Sequence, residues 1–263
     1  MGQASFVALE RVSMTYGRGS TAVHAVESVD LTIARGEIIA VVGPSGCGKS
    51  SLLRLISGLA PPSQGHIFVE GQAVRGPLKR VGMAFQNANL LPWRTALDNV
   101  LLPLEIVEPH RSRIRRERSV YVERAQRLLA SVGLREFTAK FPWELSGGMQ
   151  SRTSICRALI HEPEILVLDE PFAALDAFTR EELWCTLRDL QADRQVTVLL
   201  VTHDLREAVF LSDTVYVMSS RPGTIAARRS IDLPRPRDLE VCFTPEFSDI
   251  VHELRNRIGY ARH

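Results

Sequence analysis

Four uninterrupted apolar runs punctuate the chain, at 38–42 (IIAVV), 165–168 (ILVL), 196–201 (VTVLLV) and 214–218 (TVYVM). Each has the length of a strand, and unbroken apolarity predicts burial on both faces, as in a parallel sheet covered by helices. Residues 6–12, 28–33 and 66–70 alternate in part and predict antiparallel strands, with turns signalled by Gly17, Gly19, Gly65 and Gly71. Helical spacing fills the gaps. Leu52, Leu53, Leu55 and Ile56 run up to Gly58; Leu183, Leu187 and Leu190 follow Thr179; a short element runs from Asp204 to Phe210. Between Gln86 and Pro163 the pattern becomes mostly helical, with helices near 119–131, stopped at Gly133, and over 149–160, and with no buried-strand run. The segment from about 228 carries Pro234, Pro236 and Pro245 and closes on a weak amphipathic helix near 247–258. The pattern predicts an α/β fold with a mainly parallel sheet, an N-terminal antiparallel β subdomain and a helical insertion. It divides the chain into a core (1–86 and 164–227), a helical subdomain (87–163) and a tail (228–263).

Composition narrows the class. Lys and Arg number 32 against 30 Asp and Glu, a net charge of +2, and 45% of the 263 residues are hydrophobic. A disordered chain needs fewer apolar residues or a larger charge, and a dedicated nucleic-acid binder a basic excess. The longest apolar runs fall far short of the ~18 residues that a spanning helix needs. The N-terminal MGQASFVALE lacks the basic segment and apolar core of a secretory signal. Cys47, Cys156, Cys185 and Cys242 lie far apart with no CxxC pair, so they are expected to stay reduced. These features together predict a soluble cytosolic protein.

The string Gly43-Pro44-Ser45-Gly46-Cys47-Gly48-Lys49-Ser50, followed by Ser51, fits G-x-x-x-x-G-K-[ST] and lies between the 38–42 strand and a helix. Glycines let backbone N–H groups close around phosphate oxygens, and the helix N-terminus adds partial positive charge. Lys49 supplies a point charge for β- and γ-phosphates, and the Ser50 hydroxyl can ligate Mg²⁺. The run Ile165-Leu166-Val167-Leu168 delivers Asp169 and Glu170 to a strand's carboxyl end, where open α/β sheets bind ligands. There Asp169 suits Mg²⁺ and Glu170 suits the general base for an attacking water. ATP and Mg²⁺ are therefore the expected ligands of a P-loop NTPase core.

Leu145-Ser146-Gly147-Gly148-Met149-Gln150 opens a helix and offers a second anion site, although Ser-Gly-Gly by itself is more often a helix-capping loop than a ligand site. The order of the whole set, Gly43–Ser50, Gln86, Leu145–Gln150, Asp169-Glu170, Ala174-Leu175-Asp176 and His203, resembles the ATP-binding subunits of ABC transporters over roughly residues 5–222. The resemblance implies an ABC ATPase cassette. It makes Tyr16 the aromatic that stacks on adenine and Gln86 the glutamine joining the metal site to the helical subdomain. Ser146, Gly147 and Gly148 match the loop that touches the γ-phosphate of the opposite subunit's ATP. Asp176 matches a loop crossing the dimer interface, and His203 a γ-phosphate contact. Implied catalytic residues are Glu170, His203 and Gln86; implied metal ligands are Ser50, Gln86 and Asp169. Met149 stands where the family usually has glutamine, and 150–155 (QSRTSI) departs from the commoner basic helix. Cys47 is filler rather than a nucleophile.

Leu90-Leu91-Pro92-Trp93-Arg94, Asp176–Arg180 and Ser219–Gly223 are similar to the nitrate, sulfonate and taurine importer subfamily. That likeness implies a head-to-tail pair of cassettes sandwiching two ATP, and permease subunits contacted near Gln86–Trp93. It also implies a periplasmic solute-binding protein, no nucleic acid, and a peripheral place on the cytoplasmic side of the inner membrane. The Leu90–Trp93 patch suits a partner helix; packing within the helical insertion is the other reading. The arginines at 111, 113, 115, 116 and 118 have Glu117 and Glu123 beside them and read as a solvated helix face rather than a site for RNA or anionic lipid. Rival ATPase classes carry a long coiled coil between the two catalytic halves or two tandem cassettes, whereas here 120 residues separate Lys49 from Asp169 and one set of motifs is present.

Overall fold

A computed structural model describes residues 5–17, 19–173 and 175–260, so Ala174 of the Ala174-Leu175-Asp176 stretch lies outside the described residues. In chain order the elements are β1 (Val7–Tyr16), β2 (Val23–Ile33), β3 (Ile38–Val42), α1 (Lys49–Ile56), β4 (Gln64–Val69), β5 (Gln72–Ala73) and β6 (Val81–Ala84). There follow α2 (Ala96–Leu101), α3 (His110–Arg113), α4 (Arg118–Ser131), α5 (Gly147–Leu159), β7 (Ile165–Asp169), α6 (Ala177–Arg194), β8 (Thr197–Val201), α7 (Leu205–Leu211), β9 (Thr214–Met218), β10 (Ile225–Ser230) and α8 (Pro245–Tyr260). The chain forms two compact units, Met1–Leu78 with Arg194–His263, and Lys79–Asp193.

In the first unit, β3 pairs in parallel with β8 and β9, and β10 runs antiparallel along β9. Every residue of β3, β8 and β9 is buried, as the unbroken apolar runs predict. The antiparallel subdomain is β1 paired with β2 and β4, with β5 along β4. One expected turn is absent. Gly65 lies inside β4, at φ 81, where β1 and β4 lose register, and a Cβ there would strike the Arg11 carbonyl. The signal for a special backbone was sound, and the use to which the fold puts it is a bulge rather than a turn.

Helix α1 buries Lys49, Leu52, Leu53, Leu55 and Ile56, and Gly58 ends it at φ 72. Each of its fully buried leucines contributes about 1.5–3 kcal/mol over exposure. The last segment also belongs to this unit. Phe247, Ile250 and Leu254 of α8 are buried, and α8 packs on α7 and β9.

In the second unit, β6 and β7 pair in parallel, and α2, α4 and α5 pack on one another. Helix α4 buries Tyr121, Ala125, Leu128 and Leu129 at helical spacing, and Gly133 follows at φ 74. Strands β6 and β10 went unread in the sequence. Gly82 interrupts the apolar run of β6, and β10 (IAARRS) is a half-exposed edge whose arginines hide its alternation. None of the described helices is long and apolar enough to cross a membrane.

Candidate functional site

The Gly43–Ser50 loop of the first unit is built by strand β3 delivering Gly43 and by α1 starting at Lys49. Gly43, Gly46 and Gly48 take φ 158, 72 and 111, conformations that leave successive N–H groups free to converge on an anion. A Cβ at Gly48 would stand 2.5 Å from the Ala25 carbonyl, so strand β2 fixes how tightly the loop closes. The Lys49 side chain folds back over this cradle and its ammonium donates to the carbonyls of Gly43 (2.9 Å) and Pro44 (2.8 Å). The lysine is only 7% exposed with no carboxylate among these partners, so its charge is poised for an anionic ligand. Burial pushes the Cys47 thiol above its ordinary range, against smaller opposing pulls from Lys49 and Arg221. A protonated, buried thiol is a poor nucleophile, in keeping with its reading as filler.

Tyr16 ends β1 half-exposed beside this loop, its hydroxyl 3.2 Å from Ser51 Oγ on α1. His203 follows β8, whose Val201 pairs with Val41 of β3, so both strands release their loops at the same carboxyl edge. Asp204 caps α7 through the amides of Arg206 (2.9 Å) and Glu207 (3.3 Å), which fixes the turn carrying His203.

The second unit assembles its own cluster. Ala84 of β6 pairs with Leu168 of β7, so Gln86 and the Asp169-Glu170 pair emerge at one edge. Glu170 has φ 48, a left-handed conformation that costs a non-glycine residue on the order of 1–3 kcal/mol. Sequence reading has no signal for that strain. Ser146 is the N-cap of α5 and accepts from the Met149 amide at 3.3 Å. The polar closure that Met149 leaves undone comes from its neighbour, since Gln150 Nε2 donates to the carbonyls of Pro142 (2.9 Å) and Leu145 (3.2 Å). Gly148 packs against Thr179, and the Thr179 amide donates to Asp176 at 3.0 Å. That amide, with the Thr179 hydroxyl, holds the exposed Asp176 carboxyl below its usual range. The structure thus brings the Ser146–Gly148 loop and the Asp176 loop together.

Two residues missed by sequence reading organise the segment after Gln86. Asn99, fully buried on α2, donates to the carbonyls of Leu91, Arg94 and Thr95 and accepts from the Leu91 amide at 2.7 Å. Arg94 forks onto Glu105 at 2.8 and 2.9 Å. The loop so held presents Trp93 at 70% exposure and Phe85 at 39%, which rules out core packing for this tryptophan. On α5, Arg157 donates to the carbonyls of Ala88 (2.6 Å) and Asn89 (2.8 Å). One helix therefore carries Ser146 at its start and grips the Gln86 loop near its end. Replacing Arg157 by alanine is expected to cost about 1–3 kcal/mol, since two backbone acceptors lose a charged donor. Urea denaturation measures that cost, and hydrogen exchange should quicken at 86–90 more than along α4.

The family described as "ABC transporter" matches residues 26–173 of the chain. An aliphatic sulfonates import ATP-binding protein of Bacillus licheniformis is 40% identical over 222 residues, 84% of this chain and 83% of that protein. A nitrate import ATP-binding protein of Synechococcus elongatus is 44% identical over 217 residues, 82% of this chain and 77% of that protein. Among solved structures, a dimeric, post-hydrolysis ATP-binding cassette bound to ADP and phosphate aligns with TM-score 0.73 and 31% identity, covering 87% of this chain and all of that one.

Proposed function

This chain belongs to the ABC transporter family, and from that membership we propose that it is the ATP-hydrolysing subunit of an importer for a small oxyanion of the sulfonate, taurine or nitrate kind. It is a transport ATPase, and an import ATPase subunit works with permease partners. The observation that carries the reading is the Gly43–Ser50 cradle with the buried Lys49 folded over it.

The assignment of roles rests on these residue types and their placement. Tyr16 stacks on adenine, and Gly43, Pro44, Ser45, Gly46, Cys47, Gly48, Lys49, Ser50 and Ser51 hold the phosphates. Among the described residues no group of three or more His, Cys, Asp or Glu forms a metal cage. That suits Mg²⁺, which keeps its waters and binds through few protein ligands plus substrate phosphate. Ser50, Gln86 and Asp169 would hold it, and when bound it neutralises charge on the β- and γ-phosphates. Glu170 takes the proton of the attacking water, while Gln86 and His203 orient that water and the γ-phosphate.

Ser146, Gly147, Gly148 and Asp176 complete the site of a second copy, which requires two chains arranged head to tail with two-fold symmetry. Each nucleotide then touches both copies, so binding favours the closed pair by mass action and hydrolysis releases it. The Gln86–Trp93 loop, stiffened by Asn99 and Arg157, receives the permease helix. On this reading the chain works at the cytoplasmic face of the inner membrane, with a periplasmic binding protein acting through the permease.

Co-purification of the chain with its permease and binding protein, followed by a ligand screen of that binding protein, tests the substrate class. Sulfonates or nitrate should bind and should stimulate ATP hydrolysis by the reconstituted complex. A binding protein selective for cations or sugars would overturn the oxyanion assignment.

A further inference from the structure

The segment Ser219–Gly223, which follows β9, has no part in the chemistry above, yet it lies directly against the phosphate loop. The Arg221 guanidinium donates twice to one acceptor, the Gly46 carbonyl, at 3.1 Å from Nε and 2.8 Å from a terminal nitrogen. Gly223 sits so close to the next carbonyl, that of Cys47, that any Cβ there would overlap it. The segment is itself pinned to strand β2, with the Gly223 amide on the Ala25 carbonyl (3.1 Å) and the Glu27 amide on the Gly223 carbonyl (2.9 Å). The same Ala25 carbonyl limits the space at Gly48. Inside the segment, Ser219 Oγ accepts the Thr224 amide at 3.0 Å and closes the turn.

Two consecutive carbonyls of the phosphate loop are therefore held on one side by one strap. Across a trans peptide the C=O and the following N–H point in opposite directions. Holding the Gly46 and Cys47 oxygens toward the strap turns the Cys47 and Gly48 N–H groups away from it. The Cys47 amide makes only a long 3.4 Å turn contact to the Pro44 carbonyl, so little else sets its direction. Gly46 at φ 72 has two conformational halves open to it, and an exposed arginine chelating its oxygen selects one.

We infer that Arg221 is a positioning residue for nucleotide binding: it pre-orders the phosphate cradle through the Gly46 carbonyl, with Gly223 admitting the close approach of the strap. The inference rests on the reading of Gly43–Ser50 as the phosphate site. Pre-ordering of this kind lowers the cost of binding without changing the chemical step.

The test compares the full-length chain with Arg221→Ala and Arg221→Lys, measuring ATP affinity by titration, steady-state kcat and KM, and melting without nucleotide. Arg221→Ala should raise both Kd and KM about tenfold, the worth of a charged pair of hydrogen bonds to one carbonyl. Its kcat should stay within about twofold, because the strap touches no reacting atom. Arg221 is exposed, so melting should be unmoved. Arg221→Lys, with one donor in place of the fork, should recover part of the affinity. Wild-type affinity in Arg221→Ala would overturn the strap while leaving the phosphate site intact, and so would a fall in melting temperature and kcat with KM unchanged. A wild-type chain that binds no ATP would overturn the phosphate site, and the strap with it.

Discussion

Replacing Glu170 by glutamine is expected to lower kcat for ATP hydrolysis by about 10²–10⁴, the usual worth of a positioned general base. Glutamine has the same length and shape as glutamate and can occupy the same left-handed φ of 48, so the fold and the β7 terminus should survive. What it loses is the ability to take a proton from water. With hydrolysis slowed and binding intact, ATP and Mg²⁺ should accumulate as a two-chain complex, visible on size exclusion and absent with ADP. A variant that remains monomeric at saturating ATP would rule out the shared site. One that hydrolyses at the wild-type rate would place the base elsewhere. Phosphate release and size exclusion on the same preparation separate these outcomes.

Replacing Arg237 by alanine is expected to cost about 3 kcal/mol of folding stability through loss of a buried charged donor. For a chain of this size that corresponds to a fall of roughly 6–12 °C in Tm. The guanidinium is 3% exposed and donates to the carbonyls of Val209 (2.9 Å), Phe210 (3.0 Å) and Ser212 (2.7 Å) at the end of α7. It also reaches those of Ile231 (3.1 Å) and Leu233 (3.4 Å) in the segment leading to α8. The three at the end of α7 are carbonyls that a helix leaves unpaired, and their dipoles stabilise the cation. Arg235 adds a bond to the Leu211 carbonyl at 2.7 Å. Burial, with smaller help from the neighbouring Arg235, pushes Arg237 down to about 10, still fully charged at neutral pH. Alanine would leave five backbone acceptors dry, whereas Arg235→Ala, more exposed, should cost much less. Calorimetric melting of the two variants decides it; a loss under 2 °C for Arg237→Ala would mean that water satisfies the α7 carbonyls instead.

Both cases mark where the chain could be read and where it could not. Glu170 was legible as a candidate base because an apolar strand must end somewhere, and a carboxylate pair at its end has a short list of uses. Its strained backbone was invisible, since φ at a strand terminus is decided by what surrounds it. Arg237 gave no signal at all. An arginine among prolines reads as solvated, and only the packing of α8 and the segment before it onto α7 buries it. The Gln86 loop shows the same division. Trp93 stood out in sequence as a grip for a partner, but its exposure depends on Asn99 and Arg157, whose bonds run to backbone atoms that any sequence could supply.

The sequence by itself determined the class of this protein. The Gly43–Ser50 string, the buried runs at 38–42 and 165–168, and the order of Gln86, Ser146, Glu170 and His203 are local in character. Each needs only its own residues and the strand or helix beside it. The tertiary structure alone decided what holds those parts in working order: the Arg221 strap on Gly46, the Gln150 closure beneath Ser146, the Arg157 clamp on the Gln86 loop and the Arg237 lock on α7. All four are side chains reaching for backbone carbonyls. A carbonyl has no residue identity, so only the folded chain reveals which one a side chain meets.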